Sequence, residues 1–415
     1  MFSFAAALAF GTVAYALPSA VSPATPFGAV YIITNDLQDN YVVSAQIGQD
    51  GLLSDISAFS AQGAGAEGQP PNLGALFSQS PVTVNQETGR LAVVNAGSGT
   101  VQLYNIDPTD PTRLTPIGQA VSSGGDFPQS LAFNNKGDKL CVLNGGLDSN
   151  VQCFLVDEYG ALEASSTGEV TTYNQTSNPP TGPPGTASQV LFTPDQEAVI
   201  AVAKGLRTNF TEYPGYMRIW PIDDEGVLAE TPLEIDLRPP FGGLSFSLSQ
   251  IPGRNAFVGS DVVPGAIVVD MSTGAANATV KPLNISNNIG NCWSVTAPKA
   301  GTYFISDLLA HYVNEVALDD DLNPTLLRQY NVSGMGPNEA VVTEVNGVEY
   351  MYMLMEAATA FGVWRIDGPG DATLVQLLDM SVPLAEVGVN TDYLLLSGMN
   401  IFVSPDAATG AIAAA

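Results

Sequence analysis

One short phrase recurs along the chain, and a repeat constrains a fold more tightly than any composition does. The phrase is an apolar strand, an acidic or Gly-containing turn, and a second strand. It reads IGQDGLLSDI at 47–56, YNIDPTDPTRLTPI at 104–117, FLVDEYGALEA at 154–164 and WPIDDEGVLAE at 220–230. It returns as VVDMSTGAANATV at 268–280, VALDDDLNPTLL at 316–327 and WRIDGPGDATLV at 364–375. The turns fall near 50, 107, 157, 223, 270, 319 and 367, at intervals of 47 to 66 residues. Their Asp, Gly, Asn and Pro residues supply turn geometry.

Upstream of each turn lies another strand rich in β-branched and aromatic residues: AVYIITN, LAVVNAG, KLCVLNG, AVIAVAK, AFVGSD, TYFISD and YMYMLME. In six copies a further strand precedes it, as in PVTVN, SLAFN or QVLFT. Four short strands per unit, without helical periodicity, predict an all-β chain: a seven-bladed β-propeller of four-stranded antiparallel blades over residues 28–403. The strands are labelled a to d from the axis outward. The first unit lacks strand a, and the surplus segment VGVNTDYLLLSGMNIFV (387–403) is expected to supply it, joining the two chain ends and removing open edges. The Pro/Gly-rich stretches 60–74 and 173–187 read as solvated connectors.

The N-terminus has an apolar run ending at Ala14-Tyr15-Ala16, which reads as a secretory signal peptide over 1–16. Residues 404–415 read as a low-complexity tail, and no later run is long enough for a membrane span. Five N-x-[ST] sequons at Asn174, Asn209, Asn277, Asn284 and Asn331 fit a glycosylated, extracellular protein. Cys141 and Cys153 flank a predicted hairpin loop. If Asn144 pairs with Asn150 the two face each other, either as a cross-strand disulfide or as two buried thiols. Cys292 reads as a small core residue. The formal net charge is −28, which disfavours nucleic acid and anionic membranes as partners. A monomer is expected.

Propeller geometry puts the d–a and b–c loops on one face, around the channel mouth. Three cations map there: Lys204 and Arg207 after strand b of blade four, and Arg238 before blade five. They could hold an anion or an oxyanion. The single histidine, His311, falls in the b–c loop of blade six; Glu339 opens strand a of blade seven and Glu356 follows its strand b. A histidine or carboxyl there could serve as a general base. Asp261, Asp307 and Asn144 hold equivalent strand-b ends. No G-x-S-x-G elbow, H-E-x-x-H or phosphate-cradling glycine loop is present, and one His with three Cys argues against a metal site. No cofactor is expected.

The stretches VVSAQIGQDGLLS, PQSLAFNNKGDKLCVLNGGLDSNVQCFLVDEYGALE and ASQVLFTPDQEAVIAVAKG resemble the seven-bladed lactonase family, over nearly the whole chain after the leader. That family includes 6-phosphogluconolactonases and fungal 3-carboxymuconate cyclases, and the leader and sequons make this chain similar to its secreted fungal branch. The resemblance implies lactone hydrolysis or muconate-type cyclisation at the channel mouth. The family's G-P-H-type motif, however, reads Phe127-Pro128-Gln129 here, and Ala187-Ser188-Gln189 in the next blade. Glutamine hydrogen-bonds but does not shuttle protons near neutrality. Retained chemistry would therefore rest on His311 and Glu339, with Lys204, Arg207, Arg238, Gln129, Gln189 and Glu356 around the substrate. The alternative is a non-catalytic extracellular or cell-wall glycoprotein that binds a glycan, a protein or a small molecule.

Overall fold

A computed structural model describes residues 25–71, 73–405 and 407. The expected leader and most of the expected tail lie outside the described residues. Seven four-stranded antiparallel sheets follow one another around an axis. Blades two to seven each run in chain order; blade three, for example, uses Pro128–Phe133, Lys139–Asn144, Asn150–Val156 and Leu162–Glu169.

Blade one is composite, as expected from the surplus C-terminal segment. Its strands b, c and d are Gly28–Ile33, Tyr41–Ile47 and Leu53–Ser60, while Ser397–Val403 pairs antiparallel with Gly28–Ile33 as strand a. A short helix, Ser381–Glu386, leads into that closing strand. Gly28 is required at the seam, because a Cβ there would lie 2.2 Å from the Phe402 carbonyl oxygen.

Strands b and c are apolar on both faces because each face packs against a neighbouring blade. Arg90–Asn95 and Lys139–Asn144 are buried throughout. The apolar clusters span adjacent blades; one joins Tyr31, Val93, Tyr104, Leu131 and Phe402. The hairpin register places Asn144 opposite Asn150 and Cys141 opposite Cys153, and the two cysteines form a disulfide. Cys292 is a buried free thiol. All five sequon asparagines are exposed. Among the described residues no helix is long and apolar enough to cross a membrane.

Candidate functional site

The inner strands of blades three to seven open in the same irregular way. Pairing with strand b skips one residue near the start in blades three to six, at Gln129, Ser188, Phe246 and Cys292, and skips Asn338 and Glu339 in blade seven. Such bulges re-aim side chains and recur beside functional sites. The register also corrects the sequence alignment. Ser188, not Gln189, is the counterpart of Gln129. Gln189 pairs one step further on, opposite Val202, and its amide bonds the main chain of Leu248 in blade five. A one-residue slip in a strand transfers a side chain to the other face.

The connector expected at 60–74 is not merely solvated, and it continues into a plug. Ala75, Leu76, Phe77, Ser78 and Gln79 are buried. Ser78 Oγ donates to the Gln129 carbonyl (2.6 Å), and Trp293 Nε1 donates to the Ser78 carbonyl (2.9 Å). Ser294 N donates to Gln79 Oε1, Gln79 N to the Ser188 carbonyl, and Ser80 N to Glu339 Oε1. A segment bonded to the inner strands of blades three, four, six and seven lies on the axis. Phe77 and Ser80 hold left-handed backbone, φ 55° and 66°, conformations that non-glycine residues rarely adopt. The second connector, 173–187, packs on the first: Gln69 pairs with Thr181 in a parallel bridge, and a Cβ at Gly182 would meet the Phe77 ring.

The three expected cations do not form one anion site. Lys204 is fully buried, and its Nζ donates to the Phe77 carbonyl (2.8 Å), the Ala187 carbonyl (2.7 Å) and Ser188 Oγ (2.8 Å), with the Phe246 ring 4.3 Å away. One of these contacts holds the plug at Phe77, and the other two anchor the ammonium to the inner strand of its own blade. Burial pushes its pKa well below the usual lysine range, partly offset by Cys292 and Asp261. Arg238 is half-buried and paired with Asp236 at 2.5 Å. Arg207 is exposed and has no hydrogen-bond or ion-pair partner among the described residues.

The acids divide similarly. Asp261 accepts from Gly243 N, Leu244 N, Val263 N and Ser245 Oγ, and Asp307 from Ile289 N, Gly290 N and Ala310 N. Both tie the loop that enters strand a to the end of strand b, a structural task that Asn144 shares through the Ser123 carbonyl. Glu339 and Glu356 are different. Burial raises each to a pKa of about 8, against a weaker opposing pull from their hydrogen bonds. Glu356 accepts from Asn338 Nδ2, while Glu339 Oε2 is buried with no partner. His311 occupies the blade-six turn at φ 58°, half-buried, with Nδ1 unpartnered. It does not line the cavity described next. Gln129 Nε2 donates to the Ala187 carbonyl, cross-linking blades three and four. No group of His, Cys, Asp or Glu among the described residues could hold a metal ion.

Outside the plug, one cavity of about 150 Å³ opens between blades four, five and six. Leu73, Pro183 and Pro184 of the two connectors roof it, Phe246, Val262, Cys292 and Leu308 form its wall, and Arg207 is the one charged residue among the described residues that line it. Neither connector stands out in the sequence as a wall, because both are rich in Gly and Pro.

No family model and no curated protein matches the chain. Solved structures do. A candidate 6-phosphogluconolactonase from Bacteroides fragilis matches with TM-score 0.62 at 14% identity, covering 92% of this chain and 99% of that one. A periplasmic gluconolactonase from Pseudomonas aeruginosa matches with TM-score 0.63 at 16% identity, covering 91% and 99%. At such identities the likeness is one of fold: the chain is similar to propellers of the 6-phosphogluconolactonase type.

Proposed function

We propose that the chain is a secreted, glycosylated, lactonase-shaped propeller that binds a small molecule at the channel mouth and does not hydrolyse it. One observation carries this reading. The ring of bulged residues at the axis holds Gln129, Ser188, Phe246, Cys292 and Glu339, without a histidine, and the segment Phe77–Ser80 is bonded into it. Hydrolysis of a lactone needs a base that reaches water beside an exposed carbonyl. Glu339 is the one carboxyl among these ring residues, and it is 2% exposed where the plug's Ser80 N bonds it. The exposed sequons support the extracellular assignment. The cavity beside Arg207 is left as the place where a ligand can enter.

A second reading, lactone hydrolysis or muconate-type cyclisation, is favoured by the free Oε2 of Glu339 and its raised pKa. The deciding experiment incubates purified protein with a panel of sugar and aromatic-derived lactones, following ring opening by pH-stat alongside binding by calorimetry. Binding without turnover is expected. Turnover that Glu339→Gln abolishes would establish the second reading. Capture of a glycan or protein, with no small-molecule heat, would move the ligand class.

A further inference from the structure

The mouth cavity has a size and a polarity that specify an occupant, given the binding reading above. Cavities of about 150 Å³ lined by aliphatic and aromatic side chains stay dry and accept a benzene-sized molecule. This one has that volume, with Leu73, Leu244, Phe246, Val262 and Leu308 in its wall. Backbone donors of its wall are engaged by the protein: Leu244 N donates to Asp261, and Ile289 N and Gly290 N donate to Asp307. Among the described residues no carboxylate lines it. Its single charge is the unpaired guanidinium of Arg207, in a chain where 41 acids outnumber 13 bases. Outward, Ile289 and Leu309 extend the apolar wall as a lip, 57% and 44% exposed.

We infer that this cavity takes a six-membered-ring monocarboxylate of the benzoate class, its ring against Phe246, Val262 and Leu308 and its carboxylate on Arg207. A planar guanidinium suits a carboxylate because two parallel N–H groups can meet its two oxygens. The apolar wall suits the ring because burying it removes apolar surface from water. A phosphorylated sugar fits neither half: it is too polar for the wall, and its charge exceeds what one arginine offsets.

Calorimetry on the full-length secreted protein tests this with three probes: benzoate, benzamide of the same shape without charge, and acetate without a ring. Benzoate is expected to bind saturably, and the other two at least tenfold more weakly. Arg207→Gln, a surface change, should weaken benzoate at least tenfold and leave benzamide alone. Val262→Phe, which fills the cavity, should weaken both ring compounds. Melting curves establish that each variant is folded. Absence of benzoate binding to the unaltered protein overturns the inference, as does equal binding of benzoate and benzamide with a silent Arg207→Gln. Lactone turnover in the same samples would instead overturn the binding reading, and leaves this one standing if benzoate still binds.

Discussion

Glu339 and Glu356 keep protons that the unfolded chain gives up. Their folded pKa of about 8 lies above the ordinary value of 4.5, so their contribution to stability is complete below about pH 4.5. It declines as pH rises toward 8 and is flat beyond, with a slope of at most about 1.4 kcal/mol per pH unit per group. Thermal melts between pH 5 and pH 8 should show that decline, and Glu339→Gln should roughly halve its slope, leaving the share of Glu356; an unchanged slope would contradict the burial of the Glu339 carboxyl. Lys204→Met should leave the Phe77 carbonyl without its Nζ donor, at a cost of roughly 1–3 kcal/mol, while the Ala187 carbonyl keeps Gln129 Nε2. Hydrogen exchange at 77–80 should accelerate in that variant. At this scale the sequence located both groups near the mouth but could not tell a ligand-binding lysine from a structural one. The difference is three acceptors contributed by segments up to 127 residues away.

At the scale of elements, strands were the legible part. The recurring phrase, the β-branched and aromatic runs and the turn residues gave each blade, and the hairpin register followed from Asn144 and Asn150. Converting Cys141 and Cys153 together to alanine should cost about 2–4 kcal/mol, read as a lower denaturation midpoint. Truncation after residue 396 removes Ser397–Val403 and bares Gly28–Ile33, which is buried along its whole length. Such an apolar edge invites intermolecular pairing, so the truncated chain should aggregate on size exclusion. The plug was not legible, since a Gly- and Pro-rich connector ending in ALFSQS shows no period. Phe77→Ala should cost about 3–5 kcal/mol, because that ring packs with Phe246, Trp293 and Leu308.

Across the whole molecule, a net charge of −28 repels anions that Arg207 at the mouth attracts only at short range. A phosphorylated lactone should therefore bind more weakly than its unphosphorylated parent at low salt, the gap narrowing as salt screens the repulsion; a salt-independent gap would place the discrimination in local contacts. The sequence by itself determined the seven blades, the composite first blade and the facing cysteines. Those follow from local patterning, which each segment carries alone, and from a repeat that must close. The tertiary structure alone decided that Ser188 matches Gln129, that Lys204 holds a plug, and that Arg207 stands unpaired beside an apolar cavity. Those properties arise where loops from separate blades meet at one axis, and the pairing of such loops is set by packing that no single stretch of sequence records.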